Sequence, residues 1–323
     1  MGREWAELSA TISAVDATWK ESPRLTHRTA VIARVHLWAA QHDRSTDWAC
    51  ETENWDARRR PAALPDQSTM SRRTRGEHGK RFHAFLDAVS VRLSQPQPQS
   101  QPLELIKIVD GKPLTVAAHS KDRGATWGRG AGGVARGYKL HAIVTPGRPM
   151  PLQWVVAPLN VDERAMAPRL IRRLGDRDGA AAGYVLGDAN YDANHLYRHA
   201  AAANHQMLCP RRQSNRAGGK DAKTGKSKRP GGVAAGIGRR RQSPQRLRSV
   251  ETLEPPTGVN RFGPEVQRLR RGIETTFGNL TAFGGGLQGL PSWVRRPWRV
   301  RNWVYAKLLI NACRIRRLKR SRA

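Results

Sequence analysis

From Leu105 to Cys209 the chain switches from β-rich runs to alternating helix and strand, and this pattern restricts the fold more than any other feature. Leu105–Val109 (LIKIV) is a run of β-forming residues that stops at Asp110-Gly111, and Thr115–Ala118 continues as a second strand. Gly124–Gly137 is rich in glycine but follows no strand-to-helix pattern, so a dinucleotide-binding loop is rejected and a flexible hairpin tip is expected. Tyr138–Thr145 and Leu152–Ala157 are further strands around a turn at Pro146–Pro149, and the short links make them antiparallel. Asn160 and Asp162-Glu163 start a helix that runs through Leu174, with its acids at the positive end. Gly183–Leu186 is a buried strand ending at Gly187-Asp188, Asp192–Ala203 a helix with Leu196, Tyr197 and Ala200 inward, and Gln206–Cys209 a last strand. Two more helices follow, Val266–Thr281 and roughly Trp298–Arg317, the second with Trp303, Leu308 and Ala312 inward. The order β-β-β-α-β-α-β-α predicts an α/β domain with a mixed sheet flanked by helices.

Ahead of this domain, residues 1–95 read as helical and short of strand signals. Thr29–Gln41 places Ile32, Val35, Trp38 and Ala39 on one face, and Lys80–Leu93 packs Phe82, Phe85, Leu86 and Val89. Between them, Pro65-Asp66 and Ser68 supply helix-start chemistry for a short helix ending near Gly76 that carries Arg72, Arg73 and Arg75. Hydroxyls at the start and arginines along the length suit a DNA-recognition helix and, equally, a solvated basic helix. Residues 94–104 contain SQPQPQSQP, an extended linker, so the expected division is a small all-α DNA-binding domain over 1–95 and an α/β domain over 105–323. Within the latter, residues 211–248 hold 13 Lys or Arg and a single acid, Asp221, and an insertion over 211–258 is expected to be disordered without a partner.

Charge narrows the choice of partner. Lys and Arg number 57 against 26 acids, a formal charge of +31, which favours a polyanion such as nucleic acid. No basic amphipathic helix with a lipid-facing aromatic side argues for a membrane. The cysteines Cys50, Cys209 and Cys313 are too far apart for a zinc module or a disulfide framework. With no apolar leader at the N-terminus, the expectation is a soluble chain in a reducing cytoplasm, nucleoid-associated in a bacterium.

The Val266–Thr281 helix buries Val266, Leu269, Ile273, Phe277 and Leu280 and presents Gln267, Arg270, Glu274 and Thr281 on a second face. Read alone, Arg270 and Glu274 make an exposed pair worth a few tenths of a kcal/mol. Asp110 and Asp188 lie at strand ends, where side chains converge on a crevice in αβ sheets. In an RNase-H-like arrangement their two strands are neighbours, and Glu274 leans over the same point. Three clustered carboxylates call for a cation, and oxygen-only ligands select Mg²⁺ or Mn²⁺. Two such ions activate an attacking water or 3′-hydroxyl and stabilise the leaving oxygen in phosphoryl transfer. Asp192 is an alternative ligand or a helix N-cap, and His119, Asp122, Asn190 and Tyr191 are nearby candidates. No serine has a base-partner pattern, so a covalent serine mechanism is unsupported.

The pieces VDGKPL, YKLHAI, VLGDANYD and RRGIETTFGNL resemble the bacterial insertion-sequence transposases with a DDE catalytic core, in the group with a Tyr-x2-Arg-x3-Glu-x6-Lys signature. The resemblance covers about residues 105–318. It implies that Asp110, Asp188 and Glu274 are the catalytic, metal-binding triad for two Mg²⁺ or Mn²⁺ ions, and that Arg270 is the signature arginine. Gln267 stands at the signature tyrosine and Thr281 at the lysine. With Arg270, Gln267, Arg72, Arg73 and Arg75, Lys139 completes the expected DNA contacts. The implied activity is cleavage of double-stranded DNA at the element's terminal repeats and transfer of the 3′-hydroxyl to target DNA by a homodimer. A nuclease without strand transfer, and an inactive or domesticated DNA-binding relative, are the alternatives.

Overall fold

A computed structural model describes residues 2–95, 103–117, 119–130, 132–175, 182–211, 243–253, 262–281 and 286–320. The N-terminal part is helical as expected: α1 (Gly2–Asp16), α2 (Thr29–Gln41), α3 (Gln67–Arg73) and α4 (Gly76–Ser94). Asp66 caps α3 by accepting from the Thr69 N–H at 2.6 Å. The linker residues 96–102 lie outside the described residues.

Strands β1 (Ile106–Thr115), β2 (Thr126–Gly130), β3 (Gly133–Val144), β4 (Gln153–Pro158), β5 (Gly183–Leu186) and β6 (His205–Leu208) form one mixed sheet. β3 pairs antiparallel with β1 along one edge and with β2 and β4 in succession along the other. β5 lies parallel to β1, and β6 parallel to β5. The neighbouring of the 106–115 and 183–186 strands is what an RNase-H-like arrangement requires. α5 (Glu163–Gly175) and α6 (Asn194–Ala202) cover one face of the sheet through Val109, Ile143, Leu170, Ile171, Leu196 and Tyr197. α8 (Phe262–Arg270) and α9 (Gly272–Thr281) cover the other through Ile108, Ala142, Leu186, Val266 and Ile273.

Four expectations are corrected. β1 does not stop at Asp110-Gly111: β3 pairs with it from Ile108 through Thr115, and that long partner overrides the local Asp-Gly break. Thr115–Ala118 is therefore no separate strand. Gly124–Gly137 is not a flexible tip, because Thr126–Gly130 and Gly133–Gly137 form a paired hairpin in which Arg136 also binds the carbonyls of Ser120, Asp122 and Ala125. The Val266–Thr281 helix is two helices, interrupted at Arg271. Finally, part of the expected disordered insertion is α7 (Pro244–Leu253), docked beside β6 and α6; residues 212–242 and 254–261 lie outside the described residues.

The division at the linker is also not a division of the core. α10 (Pro297–Arg320) packs against α1, α2 and α4 as well as β4 and α9, and a single apolar cluster joins the N-terminal helices to Leu114, Tyr138 and Leu140 of the sheet. Residues 302–313 of α10 are all buried, wider than the inward stripe of Trp303, Leu308 and Ala312, because both halves of the molecule close around it. Polar anchors are satisfied there: Asn302 gives its carbonyl to His36 at 3.1 Å, its side-chain oxygen to His83 at 2.6 Å and its amide N–H to the Thr74 carbonyl at 3.1 Å.

Candidate active site

The site begins with register. Ile108 of β1 lies opposite Leu186 of β5 in the parallel pair, so two residues further along each segment come Asp110 and Asp188. Alternation of side chains puts Asp110 on the same face of β1 as Ile108. β5 has ended by then, and beyond its carboxyl end that edge of β1 opens into a crevice, where αβ sheets gather functional groups. Asp188 is held by the turn that follows: its carboxylate accepts from the Asn190 backbone N–H at 2.8 Å and side-chain N–H at 3.3 Å. Asn190 thus shapes Asp188. The Asp110 carboxyl accepts from the Gly111 N–H at 2.7 Å.

Asp110 carries a penalty for its charge. Burial pushes its carboxyl up to about 6; the Gly111 N–H and Arg270 act in the opposite sense, and the charges of Glu163 and Asp188 add to the rise. Glu163, at the first turn of α5, is a member of the acid group that sequence reasoning saw only as a helix start. Its Oε1 accepts from Lys139 Nζ at 2.9 Å, and a Cβ at Gly111 would sit 2.9 Å from that same oxygen, so the glycine makes room for the pair. Tyr191, fully buried, packs its ring over Gly187, where a Cβ would come within 2.9 Å of it. Its hydroxyl has no hydrogen-bond partner, and burial followed by Glu163, Asp110 and Asp188 raises its pKa far above the usual phenol range.

The third expected acid stands apart. Glu274 on α9 has a side chain 61% exposed and lies 3.7 Å from Arg270 of α8. Arg270 leans inward, close enough for its charge to act on Asp110. Among the described residues no group of three or more His, Cys, Asp or Glu side chains is gathered closely enough to hold a metal ion. Asp192 is neither a ligand beside Asp188 nor the cap of α6: Ala193 occupies the cap position, and Asp192 accepts two hydrogen bonds from Arg246 at 2.7 and 2.6 Å and one from Tyr197 at 3.0 Å. Asp122 is buried and structural, accepting from the Tyr138 hydroxyl at 2.9 Å and the Arg296 N–H at 3.0 Å, while His119 is exposed.

A family profile described as the transposase DDE domain matches residues 101–310. The chain belongs to the DDE transposases. No curated protein matches it. A solved cryo-EM structure of a piggyBac transposase synaptic complex with hairpin DNA is similar, with 10% identity, a TM-score of 0.43, and coverage of 95% of this chain and 71% of that one. The fold is the mixed α/β, RNase-H-like fold of transposases. Among the described residues no helix is long and apolar enough to cross a membrane.

DDE transposases generally use a divalent metal, and the donors here fit one. Asp110 and Asp188 offer only oxygen, the choice of hard cations, and Asp110 sits in a position that disfavours its unneutralised charge. The expected DNA contacts of this transposase domain are placed unevenly. Arg72 and Arg75 are exposed, Arg72 beside Thr69 at 3.1 Å. Arg73 is engaged internally, donating to the His27 carbonyl at 2.8 Å and the Thr29 hydroxyl at 3.0 Å, where it ties α3 to the start of α2. Lys139 is 11% exposed and paired with Glu163. The side chain of Gln267 lies outside the described residues, and the Thr281 hydroxyl donates back to the Phe277 carbonyl at 2.6 Å.

Proposed function

We propose that this chain is the transposase of an insertion sequence, which cuts double-stranded DNA at the element's terminal repeats and joins the freed 3′-hydroxyl to target DNA. The observation that carries the reading is the pair Asp110 and Asp188 at equivalent positions beyond a parallel strand register, with Asp110 raised to about 6. In this reading Asp110, Asp188 and Glu274 hold Mg²⁺ or Mn²⁺; bound there, the ions supply charge neutralisation and activation of the attacking oxygen. Asn190 keeps Asp188 oriented. Arg270 offers a guanidinium beside the acids for a DNA phosphate. The excess of basic residues holds the DNA backbone, and two copies bring the two ends together.

The test is incubation of the purified chain with supercoiled DNA carrying the flanks of its gene. Mg²⁺-dependent nicks at both ends and products joined to new DNA are expected, and Asp110→Asn abolishes both. Cuts without joined products mean a nuclease. The exposure of Glu274 favours a second reading, a relative that binds DNA without cutting it. That reading predicts tight, salt-sensitive binding and no nicks from the unaltered chain.

A further inference from the structure

Glu163 is the acid that the resemblance does not assign and that the fold brings to the same place. It reaches the crevice from α5, on the opposite face of the sheet from α8 and α9, around the open edge of β1 beyond Leu186. Gly111, next to Asp110, is the reason it can approach: the Cβ of any side chain there would lie 2.9 Å from both Glu163 Oε1 and Lys139 Cδ, inside contact distance. Only one Glu163 oxygen is accounted for by Lys139. A second, independent observation marks the spot as built for a ligand. The Tyr191 hydroxyl is fully buried, has no hydrogen-bond partner, and is surrounded by the charges of Glu163, Asp110 and Asp188.

We propose that Glu163 supplies a carboxylate to the divalent cation held by Asp110 and Asp188, and that Lys139 is the counter-charge that occupies Glu163 while the cation is absent. The proposal rests on the cation-binding reading of Asp110 and Asp188. The ligand is a hard divalent ion, since every donor is an oxygen. A lysine ammonium is a compact, mobile point charge on a flexible stem, suited to releasing a carboxylate when a divalent ion arrives. Tyr191 is a positioning residue: its O–H is a donor without an acceptor that any of the three carboxylates can take.

Mn²⁺ binding by the full chain, followed by the paramagnetic resonance of the free ion, tests this without reference to activity. Glu163→Gln is expected to weaken Mn²⁺ binding about tenfold or more. Lys139→Gln breaks the same ion pair but keeps the carboxylate, and is expected to bind Mn²⁺ at least as tightly as the unaltered chain. Unchanged affinity in Glu163→Gln, with binding lost in Asp110→Asn, overturns the role of Glu163 and leaves the Asp110 reading standing. Equal losses in Glu163→Gln and Lys139→Gln also overturn it, since the pair would then be only a brace. Binding unchanged in Asp110→Asn, or absent from the unaltered chain, overturns both.

Discussion

Asp110 shows how a single residue trades stability for a site. Its carboxyl titrates near 6 in the fold against an ordinary 3.8, chiefly through burial. A raised carboxyl pKa means that the folded state holds the proton more tightly than the unfolded chain. Below 3.8 both states are protonated and nothing is lost; the penalty grows as pH rises and is complete above 6, at about 3 kcal/mol. Asp110→Asn is therefore expected to unfold at a higher temperature than the unaltered chain above pH 6 without divalent ions, and at the same temperature below about pH 4. Calorimetry across that range checks it, and added Mg²⁺ should stabilise only the unaltered chain. The chemistry of this residue was legible in VDGKPL, a carboxylate set in a β-rich run. Its neighbour Glu163 was not legible, because it reads as an ordinary acid in the first turn of a helix.

At the scale of elements, α7 is fixed by one side chain. Arg246 bonds Asp192 with both arms, and the Asp192 side chain is 1% exposed. Arg246→Ala takes that partner away from a buried carboxylate and is expected to cost on the order of 3 kcal/mol. Hydrogen exchange should then show α7 opening ahead of β6. Arg246→Lys is expected to restore little, because an ammonium cannot reproduce the two-armed contact. Composition hid this helix: the surrounding basic stretch reads as disordered, and the pairing that orders α7 spans 54 residues. The strands show the same limit. Gly183–Leu186 appears with its predicted ends because its own residues favour a buried strand, whereas β1 and the β2–β3 hairpin extend through glycines that only a paired neighbour holds extended.

On the scale of the whole molecule, the first and last parts of the chain share one core. Trp5, Trp38 and Trp55 pack together among the N-terminal helices, and α10 closes over them with Lys307 paired to Asp43 and Arg316 to Glu7 at 2.9 Å. A fragment of residues 1–95 is therefore expected to lack fixed tertiary packing, with a weak near-ultraviolet signal from its tryptophans, and to recover it when a peptide spanning α10 is added. A self-sufficient fragment would restore the division at the Pro/Gln linker.

The sequence by itself determined the kinds of elements, their order, the basic character and the acids worth attention, since periodicity, caps and composition act over a few residues. The helix Thr29–Gln41 and the strand Gly183–Leu186 follow from nothing else. Tertiary structure alone decided which acids meet. The register of Ile108 against Leu186 pairs Asp110 with Asp188, the glycine at 111 admits Glu163, and the turn at Arg271 leaves Glu274 on an exposed face. Each of these depends on pairing between residues far apart in the chain, and local propensity carries no record of such contacts.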